Sequence, residues 1–205
     1  MQVITTLFYL PNLEYFTAIL DKKEIILDGI ENYQKQTFRN RSKILLANKV
    51  ETLSVPVLGG NKNTKYREVR IDYNQKWKNV HLRGIQSAYG KAPFFEYFYP
   101  YIDQVFRKNH QFLFDMNLEL LTVCLKLLQL NVKVSVREKE GQIADSMDIR
   151  GLLKAKASPG VYKFYQEKVY SQLFGVNFAP NLSILDLLFC EGTSAVSILK
   201  ASQKK

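Results

Sequence analysis

The first 28 residues constrain the fold more than anything that follows them. Val3-Ile4-Thr5-Thr6-Leu7-Phe8-Tyr9 is a β-branched and aromatic run closed by Leu10-Pro11-Asn12, which reads as a strand and its exit turn. A short helix is expected from about Leu13 to Leu20, then a second strand from Glu24 to Leu27 that ends at Asp28-Gly29. Strand, helix, strand in so few residues points to a parallel βαβ unit, because parallel strands need a crossover that a tight turn cannot supply. The helix is short for that task.

The next segments add a hairpin and then helices. Lys43 to Ala47 and Val50 to Val55 flank Asn48-Lys49, read as a two-residue connection, with Pro56 and Gly59-Gly60 ending the second strand. Lys65 to Ile71 alternates charged and apolar residues and predicts an exposed strand. Asp72 and Gln75 have capping-box spacing, after which Trp77, His81, Ile85 and Tyr89 recur every fourth residue until Ala92-Pro93. Further helices are expected over about Phe94 to Arg107 and Phe112 to Leu130, and a strand over Val132 to Val136. Arg137 to Ala157 is polar and carries no pattern. The last helix is expected from Ile184 to Ala201, with Ser183 as N-cap and Asp186 at its third position. The fold class is therefore α/β: a mixed central sheet opened by the βαβ-like unit and the hairpin, with packed helices in the middle and at the C-terminus. No repeat or linker divides the chain, so one domain over residues 1–205 is expected.

The formal net charge is +10, and all of it falls between Lys35 and Lys91, where thirteen basic residues face three acidic ones. Such a block raises the local concentration of anionic ligands, or it is a solvated face that keeps the protein soluble. Nucleic acid is not the expected partner. Cys124 and Cys190 lie in apolar runs without metal-type spacing and read as buried thiols in a reducing compartment. The N-terminus lacks the charge and apolar core of a signal peptide, and Leu118 to Val134 is broken by Glu119, Lys126 and Lys133. A cytoplasmic protein is expected.

No GxSxG, GxxxxGK[ST] or GxGxxG run occurs, and no His/Cys/Asp/Glu spacing of a metal site, so neither metal nor cofactor is expected. Gly59-Gly60-Asn61-Lys62-Asn63 lacks the strand-to-helix setting of a phosphate loop and reads as a hairpin loop. His81 and His110 are the two histidines. His81 is a candidate general base, or a packed core residue four positions from Trp77. Arg39, Asn40 and Arg41 form a polar cluster in which the guanidinium forks suit phosphate or carboxylate, although strand alternation would put Asn40 on the opposite face from the arginines. Asp186 is a further candidate, set against a helix-stabilising role at the start of an apolar helix.

Several runs together resemble the WbqC-like family, in its shorter branch seen in Bacteroidetes-type bacteria. They include Tyr9-Leu10-Pro11 with Tyr15-Phe16, Lys35-Gln36-Thr37-Phe38-Arg39-Asn40-Arg41, Leu53-Ser54-Val55-Pro56-Val57, Ile71-Asp72-Tyr73 with Trp77 and His81, and Ser87-Ala88-Tyr89-Gly90-Lys91-Ala92-Pro93-Phe94-Phe95. Asp148-Ile149-Arg150, Tyr170-Ser171-Gln172-Leu173-Phe174 and Asn181 to Phe189 continue the match in order. Two runs depart from it. Thr5-Thr6-Leu7-Phe8 stands where members tend to have His-Gln-Pro, and Cys190-Glu191-Gly192-Thr193 where Asn-x-Gly-Pro is commoner.

The resemblance implies a transferase or sugar-modifying enzyme of O-antigen and surface-polysaccharide assembly that moves an amino acid such as glycine onto a sugar. Its substrate would be an anionic nucleotide sugar or lipid-linked sugar, or a partner enzyme of the same pathway would share it. The site residues so implied are His81 and Asp28 for acid/base work and Tyr9, Arg39, Asn40, Arg41 and Tyr89 for substrate binding, with Ser183 and Asp186 as further candidates. The alternative is a non-catalytic anion-binding module that grips the same nucleotide- or lipid-linked intermediates, or a scaffold for other enzymes of the pathway. Convergence of Asp28, Arg39, Asn40 and His81 in one pocket would favour the enzyme.

Overall fold

The computed structural model describes residues 1–60, 63–141, 143–155, 160–175 and 177–204. Asn61 and Lys62 of the Gly59 to Asn63 loop, and Gln142, Lys156 and Ala157 of the polar stretch, lie outside the described residues.

The chain opens as the βαβ unit that its sequence calls for. Strand β1 (Gln2–Thr5) is followed by helix α1 (Leu13–Ile19) and strand β2 (Glu24–Asp28), and β1 pairs with β2 in parallel from Gln2↔Glu24 to Thr5↔Leu27. The Asn12 side chain accepts from Tyr15 N at 3.2 Å and starts α1, all seven residues of which are buried. Two later strands complete the sheet. Strand β7 (Lys133–Arg137) adds to β2 and β8 (Ser146–Asp148) adds to β1, giving an all-parallel order β7-β2-β1-β8. The last strand falls in the polar stretch that showed no pattern; three edge residues, two half-buried and Asp148 exposed, carry too little alternation to be read.

Strands β3 (Arg41–Leu46) and β4 (Lys49–Ser54) form the antiparallel hairpin, with Leu46 opposite Lys49. The connection is therefore Ala47-Asn48, one residue earlier than expected, because Lys49 joins the ladder. The exposed strand expected over Lys65 to Ile71 is replaced by a 3-10 turn at Tyr66–Glu68 and a two-residue strand β6 (Arg70–Ile71) paired with β5 (Val57–Leu58). Tyr66, Val69 and Ile71 are buried, which is a spacing of three and two rather than strict alternation.

Helix α2 (Trp77–Tyr89) buries Trp77, His81, Ile85 and Tyr89 as the fourfold repeat requires. Asp72 does not cap it. Its carboxylate accepts from Asn74 N and Gln75 Nε2, forming a turn ahead of the helix. Helices α3 (Phe95–Arg107) and α4 (Leu113–Leu127) follow. The last helix is broken in two, α5 (Ile184–Glu191) and α6 (Ala195–Ala201), by a 3-10 turn at Gly192–Ser194. Gly192 has φ +53°, and a Cβ there would sit 2.4 Å from the Phe94 ring. Among the described residues no helix is long and apolar enough to cross a membrane.

Candidate functional site

The chain leaves β1 toward β2 and β7 and returns much later on the other side of β1 as β8. That reversal makes a switch point, and the carboxyl ends of the strands on either side of it diverge to leave a crevice where ligands bind in open parallel sheets. Here it is a cleft of about 670 Å3 whose lining includes Thr5, Thr6, Asp28, Glu31, Arg39 and Arg150. The register accounts for their convergence. Thr5, Asp28 and Asp148 are the last residues of three adjacent strands, and Arg150 lies two residues past the last of them.

Two ion-paired clusters make the polar floor. Arg39 donates to Glu31 through Nε (3.2 Å) and Nη2 (2.6 Å) and to Thr37 Oγ1 through Nη1 (3.3 Å), while the Thr6 hydroxyl donates to Glu31 Oε2 at 3.0 Å. Across the cleft Arg150 donates to Asp148 through Nε (3.0 Å to Oδ1) and Nη2 (2.6 Å to Oδ2), and through Nη1 to Asp28. The other Asp28 oxygen accepts from Ile30 N at 3.2 Å. Phe8 and Phe38, with ring centroids 5.1 Å apart, supply an apolar wall. Lys35 and Lys154 line the cleft from exposed positions, and neither forms an ion pair among the described residues.

The two clusters are tuned in opposite directions. Burial pushes the Glu31 carboxyl above its ordinary range; the Arg39 pair and the Thr6 hydroxyl oppose this, and the charge of Asp28 adds to it. On the other wall the hydrogen bonds from Arg150 hold Asp148 below its ordinary range, and the same bonds raise Arg150. A carboxyl with raised proton affinity, in a cleft and within hydrogen-bond reach of a hydroxyl, suits proton transfer.

Of the residues singled out in the sequence, Asp28 and Arg39 line this cleft and the others lie elsewhere, so Asp28, Arg39, Asn40 and His81 do not converge in one pocket. Asn40 ties the hairpin, donating through Nδ2 to Val55 O (3.0 Å) while its backbone carbonyl accepts from Val55 N (2.8 Å). Arg41 lines a small cavity of about 80 Å3 with Gln36, Phe38 and Thr52, next to the cleft across Phe38. His81 is 3% exposed, with Nδ1 2.8 Å from the Tyr9 hydroxyl, and burial lowers it to about 4 against a bond from the Ser54 backbone that raises it. Tyr9 is fully buried beside it.

Tyr89, Ser183 and Asp186 belong to the packing around α5. The Tyr89 hydroxyl accepts from Leu45 N (3.3 Å), and the Ser183 hydroxyl accepts from Leu185 N (3.4 Å) and donates to Leu10 O (3.1 Å). Asp186 accepts from the Tyr170 hydroxyl (2.5 Å) and Gln172 Nε2 (2.9 Å), and burial raises its carboxyl. Glu31, Thr6 and Arg150 were not singled out as site residues. Glu31 sits alone in a turn with no motif around it, whereas Thr6 and Arg150 stood within quoted runs whose positions only the sheet brings together.

The family model described as "WbqC-like protein family" matches residues 8–158 and 153–198. "Uncharacterized protein Rv1507c" of Mycobacterium tuberculosis (strain ATCC 25618 / H37Rv) is 25% identical over 219 residues, covering 94% of each chain. No solved structure matches. The matched segments take in every residue of the cleft named above except Thr5 and Thr6, which lie just ahead of them, and the chain thus belongs to the WbqC-like protein family.

Proposed function

We propose that the cleft binds an anionic, sugar-bearing small molecule and that the protein is a transferase or sugar-modifying enzyme of surface-polysaccharide assembly, moving an acyl group such as glycyl onto the sugar. The observation that carries this reading is Glu31, a carboxyl of raised proton affinity at the switch-point crevice, held by Arg39 and in contact with a hydroxyl. Paired guanidinium and carboxylate groups offer planar sets of donors and acceptors to the hydroxyls of a sugar ring, and Phe38 offers its face.

In this mechanism Glu31 takes the proton from the attacking sugar hydroxyl or amine as the new bond to the acyl carbon forms. Arg39 holds the carboxylate, Thr6 sets its orientation, and Asp28 fixes Arg150 on the facing wall. The proton is returned to the leaving group as the acyl bond to the donor breaks. His81, shut in the core with Tyr9, is left a packing role. We take the protein to act as one unit in the cytoplasm, a reading supported by two free thiols that are both buried.

Replacing Glu31 with Gln keeps the shape of the pair and removes the base. Transfer from an aminoacyl or acyl donor to a nucleotide sugar is expected to fall by about 100- to 10,000-fold while binding of the acceptor, measured by calorimetry, stays within a few-fold. An active Glu31→Gln protein would sink the mechanism. The pairing of Arg39 and Arg150 with carboxylates also fits a module that only grips its ligand, and a wild-type protein that binds the sugar but transfers nothing would favour that reading.

A further inference from the structure

The carboxyl edge of the sheet continues past the cleft. Arg150 lines the cleft on one side and, on the other, a shallower groove of about 510 Å3 that also takes in Asp28, Lys65, Arg137 and Glu140. Asp28 is opposite Arg137 in the β2–β7 register, so cleft and groove share one floor. Four strands at roughly 4.8 Å per step make that floor about 14 Å across.

The two cations that line the groove alone are held differently from those that line the cleft. Arg39 and Arg150 are bound to carboxylates. Arg137 instead donates through Nε to Lys139 O (3.0 Å) and through Nη2 to Gly141 O (2.9 Å), and Lys65 Nζ donates to Ile30 O (2.9 Å). A carbonyl fixes a cation in place without neutralising it. Neither cation forms an ion pair among the described residues. Of the carboxylates, Asp28 and Glu31 also line the groove, bound to Arg150 and Arg39, and Glu140 lines it from an exposed position. Asp148, held low by Arg150 first and by the charge of Arg137 last, and Glu138, bound to Arg67 at 3.0 Å, lie beside it.

We propose that this groove is a phosphate subsite, taking the phosphate or diphosphate ester of a ligand whose ring lies in the cleft. The ring placement rests on the sugar reading above; the phosphate placement does not. Among the described residues Arg137 Nη1 has no partner and can meet a phosphate oxygen, and Lys65 uses one of its three donors. Both side chains are already anchored, so a bound anion has less side-chain freedom to remove than it would at Lys35 or Lys154, whose side chains no hydrogen bond holds among the described residues.

Calorimetry at low salt with inorganic pyrophosphate, glucose, UDP-glucose and geranyl diphosphate tests this on the wild type, on Lys65→Ala/Arg137→Gln, and on Lys35→Ala/Lys154→Ala. The groove variant is expected to lose about tenfold or more in affinity for pyrophosphate and for UDP-glucose, with glucose unchanged and the rim variant close to wild type. A preference for UDP-glucose or for geranyl diphosphate assigns the carrier, and either supports the subsite. Pyrophosphate binding that is absent from the wild type, unchanged in the groove variant, or lost only in the rim variant overturns it. If pyrophosphate binds through the groove but a sugar adds nothing, the sugar reading fails and the subsite stands. Lys65→Gln alone, on an exposed side chain, gives the same comparison if the change at Arg137 disturbs β7.

Discussion

The His81 ring is held neutral by its surroundings, and this has a measurable price in acid. Its proton affinity in the folded protein is lowered to about 4 from 6.5, so between those values the unfolded chain takes up a proton that the folded chain refuses. The contribution to stability is complete above about pH 6.5 and is lost progressively as the pH falls toward 4. Between pH 7 and pH 5 it amounts to about 2 kcal/mol. Urea denaturation at the two pH values is expected to show that drop in the wild type and not in His81→Phe; equal drops in both proteins would contradict it. The sequence left His81 open between general base and core residue, since its fourfold spacing from Trp77 states which face it is on but not what meets that face. Arg39 was visible as a guanidinium in a polar cluster. Its partner Glu31 was not, because an acid eight residues away in a turn has no periodicity to announce it.

Among the elements, helices were more legible than strands. α2 buries the stripe that its spacing demands, and α3 and α4 begin within a residue or so of their expected starts. Turns decided the rest. Lys65 to Ile71 has the composition of an exposed strand, yet the Tyr66 hydroxyl donates to Leu7 O (3.0 Å) and accepts from Asn117 Nδ2 (2.6 Å), long-range bonds that fix it in the core and that no local pattern encodes. The continuous C-terminal helix expected from the apolar repeat is broken at Gly192, where the left-handed backbone and the Phe94 ring leave no room for a side chain. Gly192→Ala is expected to destabilise the protein by about 3 kcal/mol, from the positive φ and the displaced ring together. A thermal melt within a degree of wild type would show that the joint between α5 and α6 tolerates a side chain.

At the scale of the whole molecule the basic block disperses. Arg39 is buried against Glu31, Lys43 and Lys49 stand on the hairpin, Lys78 and Arg83 on α2, so a segment contiguous in sequence supplies the cleft with only Lys35 and Arg39. Lys65 of the block lines the adjoining groove, and the remaining cations of cleft and groove, Arg137, Arg150 and Lys154, come from outside the block, which charge counting along the chain could not foretell. The sheet has the same divided origin. β1 and β2 come from the first 28 residues, β7 and β8 from beyond residue 132. A chain ended after Leu130 keeps the hairpin and the middle helices but leaves β1 and β2 without neighbours on either outer side. It is expected to melt without a cooperative transition by circular dichroism, and a sharp transition would show that the opening unit is stable alone.

The parallel order β7-β2-β1-β8 also sets a timetable during synthesis. The first two strands leave the ribosome early and must wait, apolar and unpaired on their outer edges, while more than a hundred further residues are added. At about 5–20 residues per second that interval lasts several seconds or more, long enough for a chaperone to hold the nascent chain. Because Arg150 is among the last parts of the cleft to emerge, a chain still short of it lacks one wall of the cleft.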